Sequence, residues 1–184
     1  MSPGEEHMAV LLQQCREGNQ KAQLRVYNKY YHAMYNAAWR VVKDAAAAED
    51  IMQESFLSAF THLHRFKGEV TFGAWLKKIV LNNSFQHYKT QKKRGEVPLE
   101  DILYKVEDET TTPRDQEATV RKARQVIKSL AQLKENYRIA LTLHLIEGYD
   151  YEEVAGIMNL SYGNCRTTIS RAKESLRKKI KMPH

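Results

Sequence analysis

Apolar side chains recur every three or four residues along most of this chain, and no alternating stretch is long enough for a strand. Leu24, Tyr27, Tyr31, Met34, Ala38 and Val42 mark one face of a helix near residues 20–42. After Asp44 the series Ala48, Ile51 or Met52, Ser55, Ala59 and Leu63 repeats the pattern. A third helix is expected from about Phe72 through Trp75, Ile79 and Asn82 or Asn83 toward Tyr88, with Thr71 as its cap. Farther along, Val120, Ile127, Leu130 and Leu133 form another stripe, and residues 139–146 read as a short buried helix stopped at Gly148. The pattern predicts an all-α protein.

Proline divides it. Pro3 and Pro183 lie at the ends, whereas Pro98 and Pro113 bracket one stretch near the middle. Because proline breaks helix interiors, two long helical blocks remain. Residues 96–117 hold eight acidic side chains opposed only by Lys105 and Arg114, together with Thr110-Thr111-Thr112-Pro113. That composition suits a flexible tether. Two small helical domains are therefore expected, over residues 5–95 and 118–182, joined by an acidic linker over residues 96–117.

The most specific local signal lies after Gly148. Asp150 and Glu153 have capping-box spacing at the start of a short helix carrying Val154, Ala155, Ile157 and Met158. Asn159 tolerates the left-handed backbone needed for a break, Leu160 is a candidate buried plug, and Ser161 can cap a final helix. Cys165, Ile169, Ala172 and Leu176 form the inner face of that helix. This is a helix-turn-helix pattern. Its outer face carries Arg166, Arg171, Lys173, Arg177, Lys178, Lys179 and Lys181 against the single acid Glu174. In such a motif the first turns of the second helix enter the major groove, placing Asn164, Arg166, Thr167 and Ser170 near base edges. Cations farther along suit phosphates.

Composition sharpens the picture. The 184 residues carry a net charge of +7, and only two cysteines, Cys15 and Cys165, are present. That cysteine usage excludes a disulfide scaffold and fits a reducing, cytoplasmic setting. No apolar run approaches the ~20 residues of a membrane span, and the first ten residues lack the apolar centre of a secretory signal. Within the first block the charges segregate. Asp44, Glu49, Asp50 and Glu54 meet no cation before Thr61, whereas Lys77, Lys78, Lys89, Lys92, Lys93 and Arg94 meet no acid across residues 77–94. A basic helix interleaved with Trp75, Phe85 and Tyr88 suits single-stranded nucleic acid. An acidic helix beside it calls for a different, protein partner.

Three segments resemble one family. Asp44-Ala-Ala-Ala-Ala-Glu49-Asp50-Ile51-Met52-Gln53-Glu54-Ser55-Phe56 resembles the AED-x-x-Q-x-x-F core of region 2 in bacterial RNA polymerase sigma factors. Phe72-Gly-Ala-Trp75-Leu76-Lys-Lys-Ile79-Val80-Leu81-Asn82 resembles the F-x-x-W-L-x-x-I-x-x-N segment that follows it. Residues 151–155 through 170–173 resemble region 4. Their order and spacing match the small extracytoplasmic-function group of the sigma-70 family.

The resemblance implies a transcription initiation factor that binds core RNA polymerase and promoter DNA. Asp50, Gln53, Glu54 and Phe56 would lie on or support the helix that docks on the polymerase. Lys67, Gly68, Thr71, Trp75, Lys78, Asn82 and Asn83 would open and hold the −10 element. Asn164, Arg166, Thr167, Ser170, Arg171 and Lys173 would read the −35 element as duplex. The acidic linker would thread into the polymerase, and an anti-sigma factor is an expected partner. One departure concerns base preference: Gly163-Asn164-Cys165-Arg166-Thr167-Thr168 stands where the family has G-T-V-K/R-S-R.

Two rival classes fit less well. No phosphate loop, HExxH or GxSxG motif is present, and His62 and His64 lie two apart, so neither catalysis nor a metal, cofactor or small-molecule substrate is expected. A stand-alone helix-turn-helix regulator would account for the second block. It leaves the acidic and basic helices of the first unexplained.

Overall fold

The computed structural model describes the backbone over residues 3–94 and 114–181, and side chains over residues 6–94 and 123–180. The chain divides into two compact units, Met1–Leu99 and Glu100–His184. Every element among the described residues is helical.

The first unit contains α1 (Pro3–Arg16), α2 (Gln20–Val42), α3 (Ala45–Thr61) and α4 (Phe72–Arg94), with a 3₁₀ turn at Leu63–Arg65. Local side chains start three of them. Asn19 accepts from the Ala22 N–H at 3.1 Å, Asp44 from the Ala47 N–H at 2.7 Å, and Thr71 from the Ala74 N–H at 3.3 Å. Helix α2 packs against α1, α3 and α4, and α3 also packs against α4.

This central position of α2 corrects the predicted stripe. Leu24 is exposed and Tyr27 and Tyr31 are half-buried, while Ala22, Val26, Met34, Ala37, Ala38 and Val41 face the core. Small residues allow three neighbours to approach closely, and the tyrosines line the rim. Helix α4 buries the predicted ends of its stripe, Phe72 and Tyr88, but between them the core face falls one position later. Leu76, Val80, Leu81, Ser84 and Phe85 are buried, whereas Trp75 and Ile79 lie at the edge. The α3 series agrees with its buried set, although Leu63 belongs to the 3₁₀ turn. His62 and His64 accordingly fall on the helix end and the turn rather than on one helix.

Helix α1 extends this core with Met8, Leu11, Leu12 and Cys15. Their spacing of three, one and three residues is a helical signature, legible in the sequence from Met8 onward.

The second unit contains α5 (Arg114–Ala131), α6 (Glu135–Leu141), a π-helical turn at Thr142–Ile146, α7 (Tyr151–Met158) and α8 (Tyr162–Lys181). Helix α5 begins inside the stretch read as linker, so Arg114 and the three residues after it are helical; residues 96–113 lie outside the described residues. Val120 also falls outside the described side chains, while Leu130 and Leu133 are buried and Ile127 is half-buried.

The buried helix expected over 139–146 is only partly so. Ile139, Ala140, Leu141 and Leu143 are buried, but the π turn rotates the following residues outward, leaving Leu145 and Ile146 exposed. Gly148 then takes φ +81°. The capping box of Asp150 and Glu153 is formed in both directions, and Asn159 adopts φ 53°, ψ 50°. Leu160 is half-buried rather than a full plug. Cys165, Ile169, Ala172 and Leu176 seat α8 on the unit's core.

Candidate functional site

Two surfaces of the first unit have opposite chemistry. Asp50, Gln53 and Glu54 are exposed on α3, and Gln53 donates to Glu49 at 3.3 Å. Phe56 does not join them. It is 2% exposed, with its ring 4.8 Å from that of Tyr27, so it supports α3 from inside. Asp50 and Glu54 also line a groove of about 720 Å³ whose other wall is α4, through Asn83, Gln86, His87, Thr90 and Gln91. No sequence pattern pairs these α4 residues with α3; only the packing of the two helices does so.

The other surface surrounds the loop between the 3₁₀ turn and α4. Lys67, Gly68 and Thr71 are exposed there, and Gly68 has φ +80°, a turn geometry that favours glycine. An aromatic cluster anchors the loop. Phe66 lies 5.4 Å from Trp75 and 5.7 Å from Phe72, and Phe72 lies 5.8 Å from Trp75, all between ring centres. Arg16 of α1 donates to the Phe66 carbonyl at 3.4 Å. Trp75 is half-buried in this cluster, while Lys78 and Asn82 are exposed. Positions 75, 78 and 82 share one face of α4 at intervals of three and four.

Asn83 belongs elsewhere. Its amide donates to the Ser55 hydroxyl at 3.0 Å, and that buried hydroxyl donates to the Ile51 carbonyl at 2.6 Å. Asn83 therefore ties α4 to α3 and turns away from the face that carries Asn82. Sequence adjacency grouped the two residues, but the ~100° step of a helix separates them.

In the second unit Asn164, Arg166, Thr167, Ser170 and Arg171 are all exposed along α8. Ser161 caps that helix, accepting from the Asn164 N–H at 3.3 Å. Thr167 donates its hydroxyl proton to the Gly163 carbonyl at 2.9 Å, leaving oxygen lone pairs to accept. Lys173 is set apart from this row. It is half-buried, 3.2 Å from the His144 ring nitrogen Nε2 and 3.5 Å from the Tyr151 hydroxyl. His144 Nδ1 lies 2.9 Å from the Tyr149 carbonyl, which can only accept, so Nδ1 carries the proton and Nε2 accepts from Lys173. His144 also stacks on Tyr151 at 4.8 Å. Lys173 thus joins α8 to the π turn and α7.

The lone acid of α8 is locally answered. Glu174 pairs with Lys178 at 2.8 Å, and that hydrogen bond and charge hold its carboxyl below the ordinary range. Burial pushes the Cys165 thiol up, so it behaves as an apolar packing residue rather than a nucleophile. Among the described residues no group of three or more His, Cys, Asp or Glu is placed to hold a metal ion.

The family model "Sigma-70 region 2" matches residues 26–94, and "Sigma-70, region 4" matches residues 123–176. The chain is 32% identical to the RNA polymerase sigma-H factor of Pseudomonas aeruginosa over 189 residues, covering 96% of this chain and 95% of that one. The chain belongs to the sigma-70 family. It is a transcription initiation factor of the extracytoplasmic-function type that directs RNA polymerase to promoters. The ECF RNA polymerase sigma-E factor of Haemophilus influenzae is 29% identical over 180 residues, covering 93% of this chain and 94% of that one.

Solved sigma factors share the fold. RpoE of Bartonella quintana, in complex with the anti-sigma factor NepR, aligns with a TM-score of 0.60 at 22% identity, covering 87% of this chain and 97% of that one. CnrH, in complex with the cytosolic domain of CnrY, gives 0.53 at 22% identity, covering 92% of this chain and 94% of that one. The region 2 match begins within α2, so α1 lies before it. Both surfaces described for the first unit fall inside the match, and the exposed row of α8 falls inside region 4.

Proposed function

We propose that this sigma factor docks on core RNA polymerase through the acidic face of α3 and handles promoter DNA with two separate surfaces. Asp50, Gln53 and Glu54 make the docking contacts, with Phe56 fixing their helix from within. The exposed loop with Lys67, Gly68 and Thr71, together with Trp75, Lys78 and Asn82, holds the opened −10 strand. Unstacking costs a few kcal/mol per base, which ring contacts and paired phosphates offset. Asn164, Arg166, Thr167, Ser170 and Arg171 read the −35 element as duplex, and Lys173 supports the helix that carries them.

The observation that carries this reading is the segregation of charge in the first unit. An acidic α3 and a basic, ring-lined α4 sit on one small bundle, which suits a protein that meets two partners of opposite sign. The protein works by binding and not by catalysis, in the cytoplasm with the polymerase. Among the described residues no helix is long and apolar enough to cross a membrane. An anti-sigma factor restrains it, as the partners of RpoE and CnrH suggest.

Run-off transcription with purified core polymerase and a promoter library tests the reading. Defined transcripts are expected only when this chain is added. Absence of initiation on every template would overturn it, as would sequence-specific duplex binding at full strength without core.

A further inference from the structure

Tyr162 opens the recognition helix with its side chain in solvent, 49% exposed. Among the described residues no other Phe, Tyr or Trp side chain is exposed. The tyrosines of the first unit show the contrast: Tyr27, Tyr31 and Tyr35 pack ring against ring, and Tyr30 packs on Phe72. An aromatic side chain buries 150–250 Å² when it is packed, so a ring left in water on this helix face offers that area to a ligand.

Its position is specific. Tyr162 precedes Arg166 by four residues, and Arg166 precedes Ser170 by four, so the three form one exposed row along α8. The neighbouring Gly163 is bare and exposed, and a Cβ built there would meet nothing within 4 Å. The space over it is open, so a ligand can approach the helix backbone closely beside Tyr162.

We propose that Tyr162 reads sequence: its ring packs on the 5-methyl group of a thymine in the duplex −35 element, beside the bases met by Arg166. The first turn of a recognition helix reaches the base edges, and an apolar ring matches the one apolar feature of the major-groove code. Asn164 and Arg166 supply hydrogen bonds, which leave the thymine methyl unread. The proposal rests on the reading of α8 as the −35 reader.

The full-length chain, assembled with core polymerase, is titrated by fluorescence anisotropy with a promoter duplex chosen by run-off transcription. Each −35 thymine is replaced in turn by deoxyuridine, which deletes only the methyl group. The wild-type complex should lose about fourfold in affinity at one position, the worth of one buried methyl. Tyr162→Ala should weaken binding to the parent duplex about tenfold and become indifferent to that replacement. Tyr162→Phe should retain both affinity and discrimination. Because the side chain is exposed, Tyr162→Ala should melt at the wild-type temperature. Wild-type indifference to deoxyuridine at every position would overturn the proposal, as would discrimination that survives Tyr162→Ala. Equal weakening of all sequences by Tyr162→Phe would instead identify a phenol–phosphate contact and likewise overturn it. Arg166→Ala separates the two levels: if it too leaves promoter affinity unchanged, the −35 reading of α8 fails. If only the Tyr162 variants are silent, that reading stands and this proposal falls.

Discussion

Adjacent asparagines on α4 do different work. Asn83 spends its amide on Ser55 and thereby joins α4 to α3, whereas Asn82 faces solvent beside Lys78. Asn83→Ala removes one partly buried hydrogen bond, worth about 1 kcal/mol. For a unit of this size that should lower the melting temperature by about 4–8 °C, read by circular dichroism. Permanganate footprinting of the opened −10 element should be unchanged once the protein is folded. Asn82→Ala should show the reverse, with normal melting and weakened strand opening. Tyr149 supplies a second residue-scale test. Burial, then the charges of Glu153 and Glu147, push its phenol up to about 12. A raised phenol pKa means that the folded state holds its proton longer than the unfolded chain, whose value is near 10. The associated stability is complete below pH 10 and is lost as the pH rises from 10 to about 12. Denaturation at pH 9 and 11 should show a loss of about 1 kcal/mol beyond that of Tyr149→Phe. Equal slopes for the two proteins would refute the coupling.

At the scale of elements, the signals that were legible in sequence are those set by local chemistry. The capping box of Asp150 and Glu153, the left-handed Asn159 and the caps at Thr71 and Ser161 all involve atoms within a few residues of one another. The faces of α2 and α4 were less legible, because the number of neighbours decides which face is buried and periodicity does not count neighbours. The π turn escaped for a related reason: Leu145 and Ile146 continue an apolar run, yet one extra residue per turn rotates them outward. For the site, exposure of Asp50, Glu54 and Arg166 agrees with the motif, but the roles of Phe56, Asn83 and Lys173 depend on packing partners distant in sequence. Gly148 offers a test of the turn itself. Its φ is +81°, and a Cβ there would touch nothing within 4 Å, so any cost of Gly148→Ala is a backbone cost. The substitution should destabilise the protein by about 1 kcal/mol, with Gly148→Asn costing less, as chemical denaturation would measure. A neutral Gly148→Ala would show that the turn relaxes.

Across the whole molecule, charge of both signs is divided among surfaces, and the surplus of +7 alone would favour indiscriminate binding to nucleic acid. An acidic α3 works against that tendency unless its charge is matched by a protein. Docking and DNA reading should therefore separate by mutation. The double variant Asp50→Asn, Glu54→Gln removes two exposed carboxylates without touching a buried group. At about 0.5–1 kcal/mol for each exposed pair, core affinity should fall about five- to thirtyfold, most at low salt. At saturating core, its preference among promoters should equal that of the wild type, since α8 is unaltered. Arg166→Ala should do the opposite, leaving core affinity intact while discrimination at one −35 position drops by about 1–3 kcal/mol. Arg177→Ala, farther along α8, should weaken every duplex alike and reduce the dependence of log affinity on log salt by about one unit. Equilibrium titrations of labelled protein with core, then of the assembled complex with matched and mismatched duplexes across a salt series, distinguish these outcomes. If the acidic double variant loses promoter preference in proportion to core affinity, the surfaces do not act separately and the division of charge has another origin.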